Sequence, residues 1–447
     1  MLKQMEGSHA VAKAVALCRP EVICAYPISP QTHIVEGIGE MVKSGELHDC
    51  EFINVESEFA AMSVAIGSSA AGARTYTATA SQGLLFMVEA VYNASGLGLP
   101  IVMTVANRAI GAPINIWNDH SDSISQRDSG WIQIFAETNQ EALDLHIQAF
   151  KLAEELSLPV MVCMDGFILT HAYERVDMPT QEQVDAFLPP YEPRQVLDTN
   201  DPVSIGAMVG PEAFTEVRYL AHAKQMQALD LIPQIAEEFK EIFGRDSGGL
   251  VRPYRLEDAE TVVIALGSVL GTIKDTVDEM RDEGISIGVL GIGSFRPFPV
   301  ATIREALKNA KRIVVLEKSL AVGIGGIVAT VRIERHRVGR GRLVVGLPQR
   351  GRGHGGRPAR RHHRGGRSGH RQAYAAARAH SADPGPYRAP RRRPWRIGRA
   401  ACAARRNGGR PERRALAART HARGAAAGRG LAPGGAAFSG PAWVNST

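Results

Sequence analysis

The chain has 447 residues, of which 44% are hydrophobic and 22% are charged, and its formal net charge is +6. This length is sufficient for two or three domains with separate cores. The net charge averages two unlike parts: residues 1–330 carry 24 basic and 43 acidic side chains, whereas residues 331–447 carry 28 arginines, no lysine and three acidic side chains. The absence of an 18-residue apolar run or of a signal-peptide pattern argues against a membrane span and against secretion. We therefore expect a cytoplasmic protein with no membrane partner.

The five cysteines are scattered along the sequence without a CxxC pair. The ligand spacings of zinc ribbons and of ferredoxin-type clusters are therefore missing from this chain. Scattered cysteines are typical of a reducing compartment, where each is more often a small buried side chain than a metal ligand. The sequence predicts no metal site in this chain.

The first part of the chain alternates short apolar runs with longer segments of helical spacing. The first 18 residues predict an amphipathic helix. Five apolar runs predict strands that are covered on both faces: VICAY (22–26), CEFINV (50–55), RTYTATA (74–80), PIVMTVA (100–106) and LPVMVCM (158–164). Helices are predicted between them at 31–44, 58–72, 83–96 and 139–157. This order predicts a doubly wound α/β domain over residues 1–170, with a ligand crevice at the carboxyl ends of its parallel strands.

The rhythm changes between residues 171 and 250, which we interpret as a proline-rich linker followed by a connecting helix over 217–243. The apolar face of that helix is formed by Leu220, Met226, Leu229, Ile232, Ile235 and Phe239. A second α/β unit follows over residues 251–330. Its predicted strands are 261–267, 285–290 and 312–318, and its predicted helices are 269–283 and 300–310.

Three residues that follow predicted strands could carry chemistry. Glu58 begins a helix, where a carboxylate can be catalytic or can simply satisfy the helix dipole. Arg108 can bind a carboxylate through two nitrogens, or lie in solvent as a loop residue. Ser29 stands between two prolines that stiffen its loop, and its hydroxyl can face a ligand or cap the next helix.

The segment NDHSDSISQRDSGW (118–131) concentrates polar side chains of the kind that bind metals. They are Asp119, His120, Asp122, Arg127 and Asp128. Their spacing is typical of a turn followed by a helix. This favours a hydrogen-bonded loop beside the site over a metal centre.

Several long motifs resemble the 2-oxoacid:ferredoxin oxidoreductases. The strings AYPISPQTHIVE, VESEFAAMSVAIGSSAAGA, TATASQGLLFMVEAVY and VANRAIGAPINIWNDHSD are similar to the family's pyrimidine-binding domain. VIALGSVLGTIKDTVDEMRDEGISIGVL resembles the transketolase C-terminal-like domain that follows it. The resemblance covers about residues 8–330. Among the substrate branches, the chain looks most like the α chains of the pyruvate-specific enzymes.

The resemblance implies oxidative decarboxylation of pyruvate with coenzyme A to acetyl-CoA and carbon dioxide, with electrons passed to ferredoxin. Glu58 matches the glutamate that contacts N1′ of thiamine diphosphate and so assists removal of the thiazolium C2 proton. Arg108 matches the residue that binds the substrate carboxylate. Ser29 stands where the family usually has threonine, and it retains the hydroxyl near substrate and cofactor. Gln82 is expected to border the same pocket.

The resemblance also implies partner chains. The GDG…N motif that holds the diphosphate and Mg²⁺ in thiamine enzymes is missing here, as are cluster cysteines. A β chain is therefore expected to supply the diphosphate and Mg²⁺ site and cluster cysteines, and ferredoxin-like γ and δ chains to carry further [4Fe-4S] clusters. The cofactor would be shared between chains, and this chain would be inactive alone.

Three other functions compete with this interpretation. The same reaction could act on 2-oxoglutarate or a branched-chain 2-oxoacid. Transfer of two-carbon units, as in transketolases, is disfavoured by the missing diphosphate motif. Specific nucleic-acid binding by the basic tail is disfavoured because the tail has few aromatic residues and no recognisable nucleic-acid-binding fold.

The Arg/Gly/Ala-rich tail over residues 331–447 is expected to be disordered. Its net charge is +25, and it has too few large apolar residues to offset the entropy lost on ordering. The family resemblance fades near Thr330, inside the second α/β unit, so that domain is predicted to be truncated. Arginine, alanine, glycine and proline share codons with G and C in the first two positions, which favours a shifted reading frame over a genuine basic extension.

Overall fold

The computed structural model of the protein describes residues 2–330 and the backbone of residues 342–346, all within one compact unit. The prediction of a disordered or frameshifted tail over 331–447 therefore lies outside the described residues, apart from that short segment. Across the described helices, none is both long and apolar enough to cross a membrane.

The described residues form fourteen strands and twelve helices. The strands are β1 (Leu2–Glu6), β2 (Val22–Ala25), β3 (Glu51–Asn54), β4 (Thr75–Thr79), β5 (Val102–Asn107), β6 (Ile132–Phe135), β7 (Val160–Asp165), β8 (Tyr173–Asp177), β9 (Val251–Tyr254), β10 (Thr261–Ala265), β11 (Ile287–Ile292), β12 (Ser294–Arg296), β13 (Arg312–Leu316) and β14 (Arg342–Gly346). The helices are α1 (Gly7–Leu17), α2 (Thr32–Ser44), α3 (Glu58–Ala70), α4 (Ser81–Phe86), α5 (Val88–Gly96), α6 (Ser121–Ser125), α7 (Asn139–Leu156), α8 (Gln181–Phe187), α9 (Pro211–Phe243), α10 (Val269–Asp282), α11 (Val300–Ala306) and α12 (Ile327–Thr330).

The first domain is built on a seven-stranded sheet in the order β12-β6-β7-β5-β4-β2-β3. All neighbouring pairs are parallel except β12, which pairs antiparallel with β6. Strand β3 pairs with one edge of β2, and the chain then returns so that β4 pairs with the other edge of β2. This reversal confirms the predicted doubly wound parallel sheet. It also creates a topological switch point, where such sheets hold their ligands.

Helices cover both faces of this sheet, which explains why the central strands β4, β5 and β7 are buried along their whole length. Along β7, Val160 and Val162 pack into one core, which includes α1, α2 and α7. Their neighbours Met161 and Cys163 face the opposite core, which includes α3, α5 and the second domain. Because successive strand residues point to opposite faces, a strand buried on both faces has no polar alternation.

The second domain contains a five-stranded sheet in the order β14-β13-β10-β11-β9, in which only β9 is antiparallel. The strands predicted at 261–267, 285–290 and 312–318 correspond to β10, β11 and β13. The chain also crosses between the two sheets: directly after β11, strand β12 leaves the second domain and extends the first sheet beside β6.

Two predictions about local structure were wrong. The first residues do not begin a helix: β1 pairs antiparallel with β8, and α1 starts only at Gly7. The predicted linker contains two regular elements, β8 and α8, and Thr180 caps α8 in a complete capping box. Strand β8 depends on pairing with the distant β1, which an apolar-run pattern does not reveal, whereas the capping box of α8 is local and was overlooked.

The connecting helix is confirmed but is longer than predicted, because it begins at Pro211, which occupies a favourable first-turn position. Only the C-terminal half of its apolar face is packed: Ile232, Ile235 and Phe239 are buried, whereas Leu220 and Met226 are exposed.

Candidate functional site

The switch point of the first sheet brings together the loops that follow β2, β3, β4 and β5. The buried side chain of Gln31 ties two of them, because its Nε2 donates to the carbonyl of Tyr26 at 3.1 Å and to that of Ala78 at 2.8 Å. The loop after β2 is thereby fixed to the end of β4. The predicted site residues lie in these loops or at their edges.

Glu58 is the first residue of α3 and is 7% exposed. The helix is capped by the Ser57 hydroxyl, which accepts from the backbone N–H of Ala60 at 3.2 Å. Glu58 is therefore not needed as the cap. Within residues 2–330, its carboxylate forms no hydrogen bond or ion pair, although it is buried beside the switch point.

The carboxylate of Glu58 is packed against Gly83, the third residue of α4. A Cβ atom on Gly83 would lie 2.6 Å from Glu58 Oε1 and 2.6 Å from Thr79 Oγ1. Only glycine therefore leaves room for the carboxylate at this place. The Thr79 hydroxyl is buried and has no hydrogen-bond partner among the described residues. A buried carboxylate and a buried hydroxyl thus both retain the capacity to bind a further group.

Arg108, directly after β5, is 9% exposed and reaches the other predicted residues. Its Nη1 donates to the carbonyl of Ser29 at 2.7 Å, and its Nη2 donates to Gln82 Oε1 at 3.1 Å. Its Nε is buried and makes no hydrogen bond to any described residue. The structure thus brings Glu58, Gln82 and Arg108 together, with Gln82 and Gly83 as the link. Ser29 joins them through its carbonyl, while its side chain is exposed.

Asp122 lies behind these residues and is fully buried. Its Oδ2 accepts from the backbone N–H groups of Ser81 at 2.9 Å and Arg108 at 3.0 Å. Its Oδ1 accepts from Asn107 Nδ2 at 2.8 Å and from the Ser123 N–H at 2.7 Å. Burial raises the pKa of Asp122, against the lowering effect of these four donors. The segment 118–131 is therefore the hydrogen-bonded loop that its spacing predicted.

Asp165, at the end of β7, is the centre of a second buried network that joins the two domains. One carboxylate oxygen contacts His120 Nε2 at 2.5 Å, and the other accepts from Lys318 Nζ at 2.6 Å and from the backbone N–H of Ser268 at 3.0 Å. Burial alone would raise the pKa of Asp165, but the charges of Lys318 and His120 outweigh it and hold that pKa well below its ordinary range.

Sequence reasoning missed Thr79, Gly83 and Asp165. Thr79 and Asp165 end strands that were predicted from their apolar runs, so the strand-end rule that selected Glu58 also applied to them. Asp165 follows VMVCM directly. Gly83 is next to Gln82, which the resemblance placed at the border of the pocket, but its importance is visible only from the approach of Glu58.

Comparison with known proteins identifies related chains over both domains. The family described as "Pyruvate flavodoxin/ferredoxin oxidoreductase, thiamine diP-bdg" matches residues 13–237, and "Pyruvate:ferredoxin oxidoreductase core domain II" matches residues 259–355. The second match and strand β14 both extend beyond residue 330, where the sequence-based domain boundary was placed. That boundary remains a prediction.

Curated relatives carry two kinds of name. The pyruvate synthase subunit PorA of Methanosarcina barkeri is 54% identical over 71% of this chain and 80% of its own length. The PorA of Methanocaldococcus jannaschii is 52% identical over 72% and 84%. The ketoisovalerate oxidoreductase subunit VorA of Pyrococcus horikoshii is 43% identical over 73% and 83%. Among these three relatives, the pyruvate synthase subunits are the more similar.

A solved structure supports the fold. The 2-oxoglutarate:ferredoxin oxidoreductase from Magnetococcus marinus aligns with a TM-score of 0.63 at 20% identity, over 78% of this chain and 63% of its own. With the family matches and the curated relatives, this confirms the resemblance and the thiamine-binding type of α/β fold predicted from the motifs. The chain belongs to the 2-oxoacid:ferredoxin oxidoreductase family.

Proposed function

We propose that this chain is the α-type subunit of a cytoplasmic, heteromeric pyruvate:ferredoxin oxidoreductase, or pyruvate synthase. The complex would convert pyruvate and coenzyme A to acetyl-CoA and carbon dioxide, with two electrons passed to ferredoxin. The observation that carries this proposal is the pairing of a buried carboxylate, Glu58, which is unbonded within residues 2–330, with the Arg108 guanidinium through Gln82 and Gly83. A general acid–base group and a carboxylate-binding group thus lie at one switch point.

The described residues fit the pyrimidine end of thiamine diphosphate. The lack of a side chain at Gly83 lets the Glu58 carboxylate lie against α4, and the buried Thr79 hydroxyl is unbonded within the described part of the chain. When bound, the cofactor supplies a nucleophilic carbon for attack on the 2-keto group. Glu58 would hold a hydrogen bond at the pyrimidine N1′ and so favour removal of the proton from that carbon.

Arg108 is suited to bind the carboxylate of the 2-oxoacid. Its two bonded nitrogens fix the plane of the guanidinium against Ser29 and Gln82, while its buried Nε makes no hydrogen bond to a described residue. A planar guanidinium held in this way can meet a carboxylate with defined geometry. The Ser29 hydroxyl would lie beside the same substrate.

Partner chains would complete the site. The exposed rings of Phe59 and Phe86, whose centroids lie 6.5 Å apart, flank Glu58 and Gly83 along the chain and offer an apolar surface to another protein. We assign the diphosphate, Mg²⁺ and cluster cysteines to a β chain and the remaining [4Fe-4S] clusters to ferredoxin-like γ and δ chains. This division agrees with the lack of those motifs in the present sequence.

A second candidate is the same reaction on a branched-chain 2-oxoacid, because the chain is also 43% identical to ketoisovalerate oxidoreductase subunits. Turnover of the reconstituted complex with pyruvate, 2-ketoisovalerate and 2-oxoglutarate separates these readings. The proposal expects the highest kcat/KM with pyruvate. A higher value with either other acid would reassign the substrate.

Glu58→Gln tests the catalytic assignment. We expect this variant to fold and assemble but to lose about 10²–10⁴-fold in pyruvate turnover, the range of general acid–base contributions. The matched control is Glu182→Gln, which removes an exposed acidic residue from the first turn of α8. Equal, small effects of the two substitutions would mean that Glu58 serves only the helix dipole.

Arg108→Lys tests the substrate contact, because lysine offers a point charge in place of the planar guanidinium. We expect the apparent KM for pyruvate to rise far more than the KM for coenzyme A. Arg19→Lys, which alters an exposed ion pair with Asp185, is the control. A proportionate rise in both KM values would make Arg108 a structural residue.

A further inference from the structure

A histidine–glutamate cluster lies outside the residues assigned to the reaction. It consists of Glu6, His33 and His171, whose potential ligand atoms all lie within 4.8 Å of one another. Glu6 is buried and the two histidines are half-buried. Glu6 Oε1 lies 2.6 Å from His33 Nδ1, and the rings of His33 and His171 have centroids 4.7 Å apart. Two imidazoles and one carboxylate are ligands typical of first-row transition metals.

Three separate elements build this cluster. Glu6 ends β1, His33 is in the first turn of α2, and His171 lies in the turn between β7 and β8. The β1–α1 junction approaches that turn so closely that a Cβ on Gly7 would lie 2.1 Å from the carbonyl of Leu169. Only glycine permits this approach, and it places Glu6 beside His171.

Hydrogen bonds behind the cluster fix the orientation of His171. Its Nδ1 lies 2.7 Å from Thr170 Oγ1, and that hydroxyl also accepts from the backbone N–H of Phe167 at 2.8 Å. The Thr170 carbonyl accepts from the hydroxyl of Ser8 at 2.8 Å. The remaining nitrogen, Nε2 of His171, makes no hydrogen bond to a described residue. In a metal-binding histidine, one ring nitrogen usually forms a hydrogen bond to the protein while the other nitrogen is available for the metal.

The donor set suits a cation, because the carboxylate supplies negative charge and an imidazole binds a metal in its neutral form. His9 extends the cluster, with its Nδ1 3.8 Å from Glu6 Oε2. Its ring can add a fourth ligand or leave that position to water.

We propose that Glu6, His33 and His171 form a binding site for a divalent transition metal such as Zn²⁺. Metal binding would replace the hydrogen bond between Glu6 and His33 and would link β1, α2 and the turn after β7. His33 lies four residues after Ser29, so the metal would also brace the loop of the candidate active site. Sequence analysis predicted no metal in this chain, because these residues are far apart in the sequence and match no ligand spacing.

The test is Zn²⁺ binding by the full-length chain, measured by competition with a chromophoric chelator. We expect the wild-type chain to bind one more Zn²⁺ than His33→Ala or His171→Ala, whereas His222→Ala, an exposed histidine of α9, keeps the full number. Residues 331–447 contain seven histidines, but these are unchanged in every variant and cancel in the comparison. Thr170→Val should weaken the binding of this additional Zn²⁺ about 10–100-fold, because the substitution removes the hydrogen bond that supports His171.

Equal stoichiometry and affinity in the wild type, His33→Ala and His171→Ala would overturn the proposal. A measurement without variants guards against misfolding: Zn²⁺ should protect His33 and His171 of the wild-type chain from diethylpyrocarbonate, while the exposed His48 and His222 react at unchanged rates. Failure to protect His33 and His171 would also overturn it. Neither measurement depends on turnover, so the proposed function stands or falls separately.

Discussion

Asp122 and Asp165 are both buried close to the strand ends of the first sheet, but their partners differ in kind. Asp122 is surrounded by four neutral N–H donors, and burial raises its pKa. Asp165 contacts Lys318 and His120, whose charges hold its pKa below the ordinary range despite burial. The first network positions the loops around Arg108, and the second joins two domains.

The difference shows how a fold can keep one cation available. If Arg108 binds the substrate carboxylate as proposed, a cationic partner for Asp122 would compete with the guanidinium for it, and neutral donors avoid that competition. At the domain junction, by contrast, an ion pair of Asp165 with Lys318 links β7 to the end of β13.

The largest effect on stability is expected for Asp165→Ala. This change leaves the buried His120 and the partly buried Lys318 without their carboxylate, and such losses cost about 3–5 kcal/mol. The free energy of unfolding in urea measures it. Asp185→Ala, which breaks the exposed pair with Arg19, should change stability by less than about 1 kcal/mol. Similar losses in the two variants would mean that the Asp165 network is not a stabilising junction.

A smaller loss of stability, with a specific loss of activity, is expected for Asp122→Asn. The amide nitrogen would face two N–H donors, a mismatch that costs about 1–3 kcal/mol. Because Arg108 and Ser81 are held through their backbone, their displacement should lower kcat/KM for pyruvate by about 10²-fold. Asp128→Asn, on the exposed side of the same segment, is the control. Unchanged kcat/KM in a folded Asp122→Asn variant would remove Asp122 from the positioning of the site.

The smallest and sharpest expected effect is a difference in pH dependence. Asp165 has a pKa in the folded state below its unfolded value of about 4. Its contribution to folding stability is therefore present above pH 4 and is lost as the pH falls towards the folded pKa. Asp122 has a pKa in the folded state above its unfolded value, so its contribution to folding stability decreases as the pH rises from about 4 towards the folded pKa. The stability difference between wild type and Asp165→Asn should therefore grow from pH 3 to pH 5, and that for Asp122→Asn should shrink above pH 4. If both stability differences changed in the same direction with pH, the contrast between Asp122 and Asp165 would be contradicted.

Much of the first domain could be predicted because its strands are covered on both faces. Every residue of β4, β5 and β7 is buried, so these strands are rich in apolar and β-branched side chains, and the pattern is local. Strand β6 has only four residues, and β12 only three, and both are defined by pairing with residues far along the chain. The predicted helix over 83–96 is divided at Met87 into α4 and α5. Short elements fixed by distant partners leave no periodic signal of their own.

The proximity of some candidate site residues was also predictable from the sequence. Glu58 and Arg108 stand at strand ends, where the topology of a parallel sheet brings residues together whatever their separation in sequence. The roles of Gly83 and Asp122 could not be predicted, because they depend on which atoms approach within hydrogen-bonding distance. The roles of Glu58, Arg108, Gln82 and the Ser29 hydroxyl towards a ligand remain predictions.

Strand β12 has a consequence for how the molecule can be divided and made. It belongs by sequence to the second domain but covers the edge of β6, whose four residues are all buried. A fragment that ends after α9 would therefore expose an apolar strand edge, which invites pairing with another copy and aggregation. During synthesis the same edge stays open until Arg296 has left the ribosome. The first domain is consequently not an independent unit of expression, and fragments intended to retain it should extend beyond β12.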